Sequence, residues 1–117
     1  MSVERADLEL YQGDDYFVTA TVVGEDCEPL DLTGYTARAQ IRRKSADAEP
    51  EVAAEMTAVV EGSSVLLTLD HTETATLKDR YVWDLELTAP DGVVVTILAG
   101  YVKVIPEVTR AAIAGAS

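Results

Sequence analysis

The fold is decided by residues 35–42, which read Tyr-Thr-Ala-Arg-Ala-Gln-Ile-Arg. Their apolar members, Tyr35, Ala37, Ala39 and Ile41, recur at every second position and alternate with polar residues. Successive side chains of an extended strand point to opposite faces, whereas a helix would need apolar residues three and four apart. The stretch therefore predicts a β-strand with one face in the core and the other in solvent.

The same two-residue alternation recurs along the chain. It predicts strands over residues 16–22, 65–69 and 81–87, and a long, mostly apolar strand over 93–105, with weaker candidates at 7–10 and 53–60. Gly100, inside the long strand, predicts a bulge or bend. The turn Ala-Pro-Asp-Gly at 89–92 predicts a hairpin. One short helical turn is predicted near residues 71–78, with Asp70 or Thr72 as its N-cap.

About seven strands with almost no helix predict an all-β fold. The specific expectation is an immunoglobulin-like antiparallel β-sandwich occupying residues 1–106 as one domain. Residues 107–117 change character to an Ala- and Gly-rich tail, which has little to bury by itself. We expect this tail to make an assembly contact with a neighbouring subunit.

The charge balance limits the classes of partner. The 117 residues include 9 Lys and Arg against 21 Asp and Glu, for a net charge of −12. A field of that sign repels phosphate backbones and anionic lipid headgroups, so we expect no nucleic-acid or membrane partner. No signal peptide or membrane-spanning stretch is expected. Cys27, the only cysteine, excludes an internal disulfide and fits synthesis in a reducing cytoplasm.

The residues that could carry chemistry are few. His71 is the only histidine, and it lies in a polar turn typical of a surface position. Cys27 has acidic neighbours that disfavour a thiolate, which favours a semi-buried structural thiol. The acidic pairs at 14–15 and 25–26 lack the alternating ligand spacing of a calcium loop. We therefore expect no catalytic, cofactor-binding or metal-binding residues and no enzyme activity.

Several motifs are similar to those of a known family. Gly-Asp-Asp at 13–15, Pro-Leu-Asp-Leu-Thr-Gly-Tyr at 29–35, the strand at 79–88, Pro-Asp-Gly at 90–92 and Gly-Tyr-Val-Lys-Val at 100–104 occur in order. Together they resemble the N-terminal, immunoglobulin-like domain of phage baseplate upper proteins, and other small virion proteins, over residues 7–106. Tyr81, two residues before Trp83, also resembles the tyrosine corner of immunoglobulin-like folds. The sequence departs from the baseplate proteins in that we expect no receptor-binding region after the domain.

The resemblance implies a structural protein of a tailed-phage virion, made in the host cytoplasm and placed in the tail, baseplate or fibre-attachment region. Its partners would be other virion proteins and copies of itself, as a homo-oligomer acting through subunit contacts and edge-strand pairing. A capsid decoration protein and a carbohydrate- or ligand-binding sandwich are the alternatives. The predicted contacts lie in the N-terminal arm, a basic corner and the C-terminal tail: Ser2, Val3, Arg42, Arg43, Lys44, Thr109, Arg110 and Ile113.

Overall fold

A computed structural model describes residues 3–24, 27–43 and 52–106. The described chain forms eight β-strands and one short helix: β1 (Glu4–Arg5), β2 (Leu8–Tyr11), β3 (Tyr16–Thr21), β4 (Thr36–Arg42), β5 (Val52–Glu61), β6 (Ser64–Leu69), α1 (His71–Thr74), β7 (Asp79–Thr88) and β8 (Val94–Ile105). The all-β prediction is confirmed, as is the single helical turn, which Asp70 caps by accepting the Glu73 amide. The Ala-rich segment around 53–60 is a strand.

The strands form one sheet that β5 divides into two layers. Sheet A contains β1 and β2 beside β8, followed by β7, β4 and the first half of β5. Sheet B contains the second half of β5, then β6 and β3. Met56 is the last residue of β5 that pairs with β4, and Thr57 is the first that pairs with β6. This passage from sheet to sheet creates the sandwich.

The core lies between the two layers, where alternate strand residues meet. Ala39 and Ile41 of the deciding stretch are fully buried, and the alternation of β6 and β7 is confirmed in the same way. The buried apolar residues are Leu8, Leu10, Val22, Leu32, Ala39, Ile41, Met56, Val65, Leu67, Leu69, Leu77, Tyr81, Trp83, Leu85, Leu87, Ile97, Val102 and Val104. Their burial supplies the main driving force for folding.

The first two strands add parallel pairing to the antiparallel sandwich expected from the sequence. Leu8 pairs with Val102 and Tyr11 with Ile105, so β2 runs in the same direction as β8. The chain then turns through Gly13, whose φ is +87°, and enters β3 on the other sheet. The N-terminal strands therefore lie along the edge of sheet A, beside the last strand.

The prediction of a bulge at Gly100 is wrong, and the glycine is required for another reason. The bulge of β8 lies earlier, because Thr96 pairs with Glu86 and Leu98 with Leu85, which leaves Ile97 as the extra residue. Gly100 lies opposite Trp83, and a Cβ atom there would collide with the Ala6 carbonyl oxygen and lie 2.7 Å from its carbon. The glycine is needed because the N-terminal backbone passes close to β8.

Candidate functional site: assembly surfaces

The N-terminal arm, residues 3–7, is fastened to sheet A by a buried tryptophan. The Trp83 side chain is 4% exposed, and its Nε1–H donates to the Ala6 carbonyl oxygen at 2.7 Å. The Ala6 amide donates to the Ala99 carbonyl at 3.0 Å. Since a buried indole N–H needs an acceptor, the arm completes the core as well as extending the sheet.

Asp7 fixes the other side of the arm. Its Oδ1 accepts the Tyr101 amide at 3.0 Å, and its two carboxylate oxygens receive the Arg5 guanidinium at 3.2 and 3.1 Å. The Tyr101 backbone hydrogen bond, followed by the Arg5 hydrogen bond, lowers the pKa of Asp7. Val3 is 56% exposed at the end of this arm. Ser2, its predicted companion contact, lies outside the described residues.

The acidic turn at residues 13–15 serves the fold. Thr74 is fully buried, receives the Gly13 amide at 3.1 Å on its Oγ1, and donates to the Asp14 carbonyl at 2.7 Å. Asp15 Oδ1 accepts the His71 amide at 2.7 Å and lies 3.0 Å from His71 Nδ1. His71 is exposed, as predicted. These contacts connect the turn after β2 to α1.

The two described residues of the basic corner, Arg42 and Arg43, contact different partners. Arg42 is half-buried, and its guanidinium donates to Gln40 Oε1 at 2.6 and 3.1 Å. The Arg43 guanidinium instead lies 6.0 Å from the ring centre of Tyr81, a core residue. The Tyr81 hydroxyl in turn accepts the Lys78 amide at 3.0 Å, the arrangement of a tyrosine corner. Lys44 lies outside the described residues.

The described start of the N-terminal arm and the end of β8 lie far apart. β1 pairs with the middle of β8 at Leu98 and Ala99, and the arm runs parallel to β8. Val3, which precedes Glu4, therefore lies toward the start of β8, and Ile105 is at its other end. Seven residues of extended chain separate Leu98 from Ile105, about 23 Å at the usual strand rise. Thr109, Arg110 and Ile113 follow that end and lie outside the described residues.

Sequence reasoning missed the outer face of sheet B. This face is made of three residues from each of three strands, paired in rows across the sheet. From β3 to β6 to β5, the rows are Phe17–Thr68–Thr57, Thr19–Leu66–Val59 and Thr21–Ser64–Glu61. Eight of these nine positions carry no charge, although the chain holds 26% charged residues. Phe17 is 67% exposed and Val59 43%. We call the eight residues other than Glu61 the uncharged face. The outer alternation of 16–22 was visible in the sequence; the pairing that joins the strands was not.

Cys27 corrects a further prediction, because its side chain is exposed and not semi-buried. It occupies a turn with φ of +64°, in which its amide donates to the Gly24 carbonyl. A turn at the surface leaves no neighbouring core in which the thiol could be buried.

The described residues show their buried polar groups committed to the fold. Within residues 3–24, 27–43 and 52–106, every buried side-chain nitrogen and oxygen has a hydrogen-bond partner. In the same ranges no three His, Cys, Asp or Glu side chains are placed to share a metal ion. No helix in this part of the chain is long and apolar enough to span a bilayer.

The two layers, the tyrosine corner and the arm beside the last strand define an immunoglobulin-like β-sandwich whose distinctive surfaces are strand edges and a sheet face. The chain belongs to the LtfC-like β-sandwich domain family, whose model matches residues 2–104. No curated protein matches the chain.

Proposed function

We propose that the protein is a non-enzymatic structural component of a phage tail, which works through repeated contacts with other virion proteins and with copies of itself. Membership of the LtfC-like family supports a role in a phage tail, with which this family is associated. A position in the baseplate or at a fibre attachment is the finer form of the proposal. Its place of action would be the virion, after synthesis in the host cytoplasm.

The observation that carries the proposal is the uncharged face. In a chain of net charge −12, an exposed sheet face with Leu66 and Val59 in its central row and Phe17 at one corner is an exception. Exposed apolar patches rimmed by polar residues mark surfaces that contact another protein. The polar groups that could perform chemistry, such as His71 and Asp15, are engaged with each other in a structural turn.

The test is to locate the protein in purified particles. Antibodies raised against the folded chain, carried on gold, should label the tail in electron micrographs, and pre-immune antibodies should not. Label over the head shell would refute the tail location and favour a capsid decoration protein. Absence of the chain from particles that contain the other structural proteins would refute a virion role. A glycan array with strong, specific hits would refute a purely structural role.

A further inference from the structure

The free edge of sheet B lacks the usual protection against association. β3 pairs with β6 on one side, and it has no second strand partner among the described residues. Exposed edges are commonly blocked by charged residues, proline or a bulge. The strands with open edges elsewhere carry charges: Glu4 in β1, Glu9 in β2, and in β5 Glu55 in the sheet A half and Glu61 in the sheet B half. β3 reads Tyr-Phe-Val-Thr-Ala-Thr and carries none.

The backbone groups at this edge can be assigned from the pairing. The Val22 amide donates to the Ser63 carbonyl, so Val22 directs its backbone groups toward the β6 side. Backbone groups alternate in direction along a strand. Tyr16, Val18 and Ala20 therefore hydrogen-bond to β6, and Phe17, Thr19 and Thr21 direct their N–H and C=O groups to the open edge.

An apolar groove lies beside the same edge. It has a volume of about 290 Å³ and separates β3 from the N-terminal arm and β8. Val18 and Ala20 form one wall, and Ala6 and Leu98 contribute to the other. All four side chains are partly buried against the core. A strand added to β3 would place alternate small side chains over this groove.

We propose that the occupant of this edge is β3 of a second copy, paired antiparallel across a two-fold axis. Antiparallel strands pair residues of the same kind, either both directed to the partner or both directed away. The symmetric register with the largest set of outward groups is centred on Thr19, with Phe17 opposite Thr21 of the second copy. Val18 and Ala20 of that copy then continue the apolar inner surface over the groove.

The charge of the chain favours the β3 edge as the place where two copies meet. Two copies that each carry −12 repel one another over most of their surfaces. In the register centred on Thr19, Asp15 of one copy lies opposite Val23 of the other, so this carboxylate does not face its own counterpart. The uncharged faces of the two copies join into one continuous surface. This pairing deepens the proposed function by naming one of the repeated contacts, and it rests on that function for its role in a virion.

Sedimentation velocity of the full chain tests the pairing. We expect a dimer that forms with rising concentration and strengthens when salt is raised from about 20 mM to 0.5 M, because salt screens the repulsion. Thr19→Glu places two carboxylates opposite each other and should weaken dimerisation at least roughly tenfold. Thr57→Glu adds the same charge to the same face, two strands from the edge, and should change it less than about threefold.

Three results would overturn the pairing: a monomer at all concentrations up to about 1 mM, an unweakened Thr19→Glu dimer, or equal loss in both variants. The last would indicate stacking of sheet faces. Amide exchange gives a readout that needs no substitution, since Phe17, Thr19 and Thr21 should become protected as concentration rises. A monomer that labels the tail would refute the pairing alone, and a dimer found on the head would refute the tail function alone.

Discussion

Replacing Gly100 with alanine should release the N-terminal arm. The φ angle of Gly100 is not positive, so the backbone there accepts alanine and the effect of the substitution is steric. The added Cβ would collide with the Ala6 carbonyl oxygen and lie 2.7 Å from both the Ala6 carbonyl carbon and Asp7 Oδ1. Two of these three atoms belong to the backbone, so a side-chain rotation alone cannot make room.

The size of the effect follows from what the arm gives up. Its release removes the exposed contact of Asp7 with the Tyr101 amide. It also removes the two hydrogen bonds that set the energy, from Trp83 Nε1 to Ala6 and from the Ala6 amide to Ala99. At about 1 kcal/mol for each neutral hydrogen bond, this destabilises the fold by about 2 kcal/mol. Alanine also restricts the unfolded chain, which offsets about 0.5 kcal/mol of that loss. We therefore expect Gly100→Ala to lower the free energy of unfolding by about 1.5 kcal/mol. The loss should not be larger, because a detached arm no longer clashes with the new Cβ.

The assay has a built-in reporter, because Trp83 is the only tryptophan. Its emission should shift in folded Gly100→Ala, and urea unfolding should give the stability change. Amide exchange at Ala6 and Tyr101 should accelerate. Gly62→Ala is the control: φ there is +62° and nothing lies within 4 Å of the added Cβ, so backbone strain alone lowers stability. Its arm should stay protected.

The reasoning about the arm would be refuted by a Gly100→Ala protein with unchanged emission and a stability within about 0.5 kcal/mol of the parent, a change typical of neutral surface substitutions. It would also be refuted if Gly62→Ala accelerated exchange in the arm to the same degree. In either case the close approach of Ala6 to β8 would not be what the glycine permits.

Three further substitutions test separate parts of the fold by urea denaturation. Tyr81→Phe removes the acceptor of the Lys78 amide and should lower the unfolding free energy by about 1 kcal/mol; no loss would mean that the tyrosine corner is not stabilising. Thr74→Val removes the hydroxyl that accepts the half-buried Gly13 amide and donates to the Asp14 carbonyl, and should lower the unfolding free energy by about 2 kcal/mol, whereas Thr57→Val, at an exposed position, should not. Burial raises the pKa of Asp84, so its charge opposes folding above the folded pKa; the advantage of Asp84→Asn should appear at neutral pH and vanish below the unfolded pKa, and equal stability at pH 7 would contradict it.

The class of fold was predictable because strand alternation is a local property. The apolar positions of residues 35–42 and 81–87 are every second residue. Those of 81–87 are all buried, and in 35–42 Ala39 and Ile41 are buried while Tyr35 and Ala37 are half-buried against the core. The cap at Asp70 was predictable for the same reason, since its partner, the Glu73 amide, lies three residues away. These signals need no knowledge of which strands are neighbours.

Features that depend on contacts between distant residues were not predictable. Gly100 carries a local signal for a bulge, but its function is set by Ala6, 94 positions away in the sequence. The basic residues at 42–43 are adjacent in the chain, yet one contacts Gln40 and the other Tyr81. Successive residues of an extended segment point to opposite sides, and Arg43 directly follows the last residue of β4. The parallel pairing of β2 with β8 likewise has no signal in either strand alone.

The distribution of charge between the two sheets explains why association should use sheet B and not sheet A. The outer face of sheet A carries Arg38, Gln40 and Glu55, joined by hydrogen bonds of 2.9 to 3.3 Å. A partner that covered this face would have to desolvate charged groups that already have partners, which is costly. The outer face of sheet B imposes no such cost at eight of its nine positions, and the β3 edge also offers backbone groups that have no strand partner within the described part of the chain. An acidic chain built this way would self-associate through β3 and keep its charged sheet toward solvent or toward a basic partner.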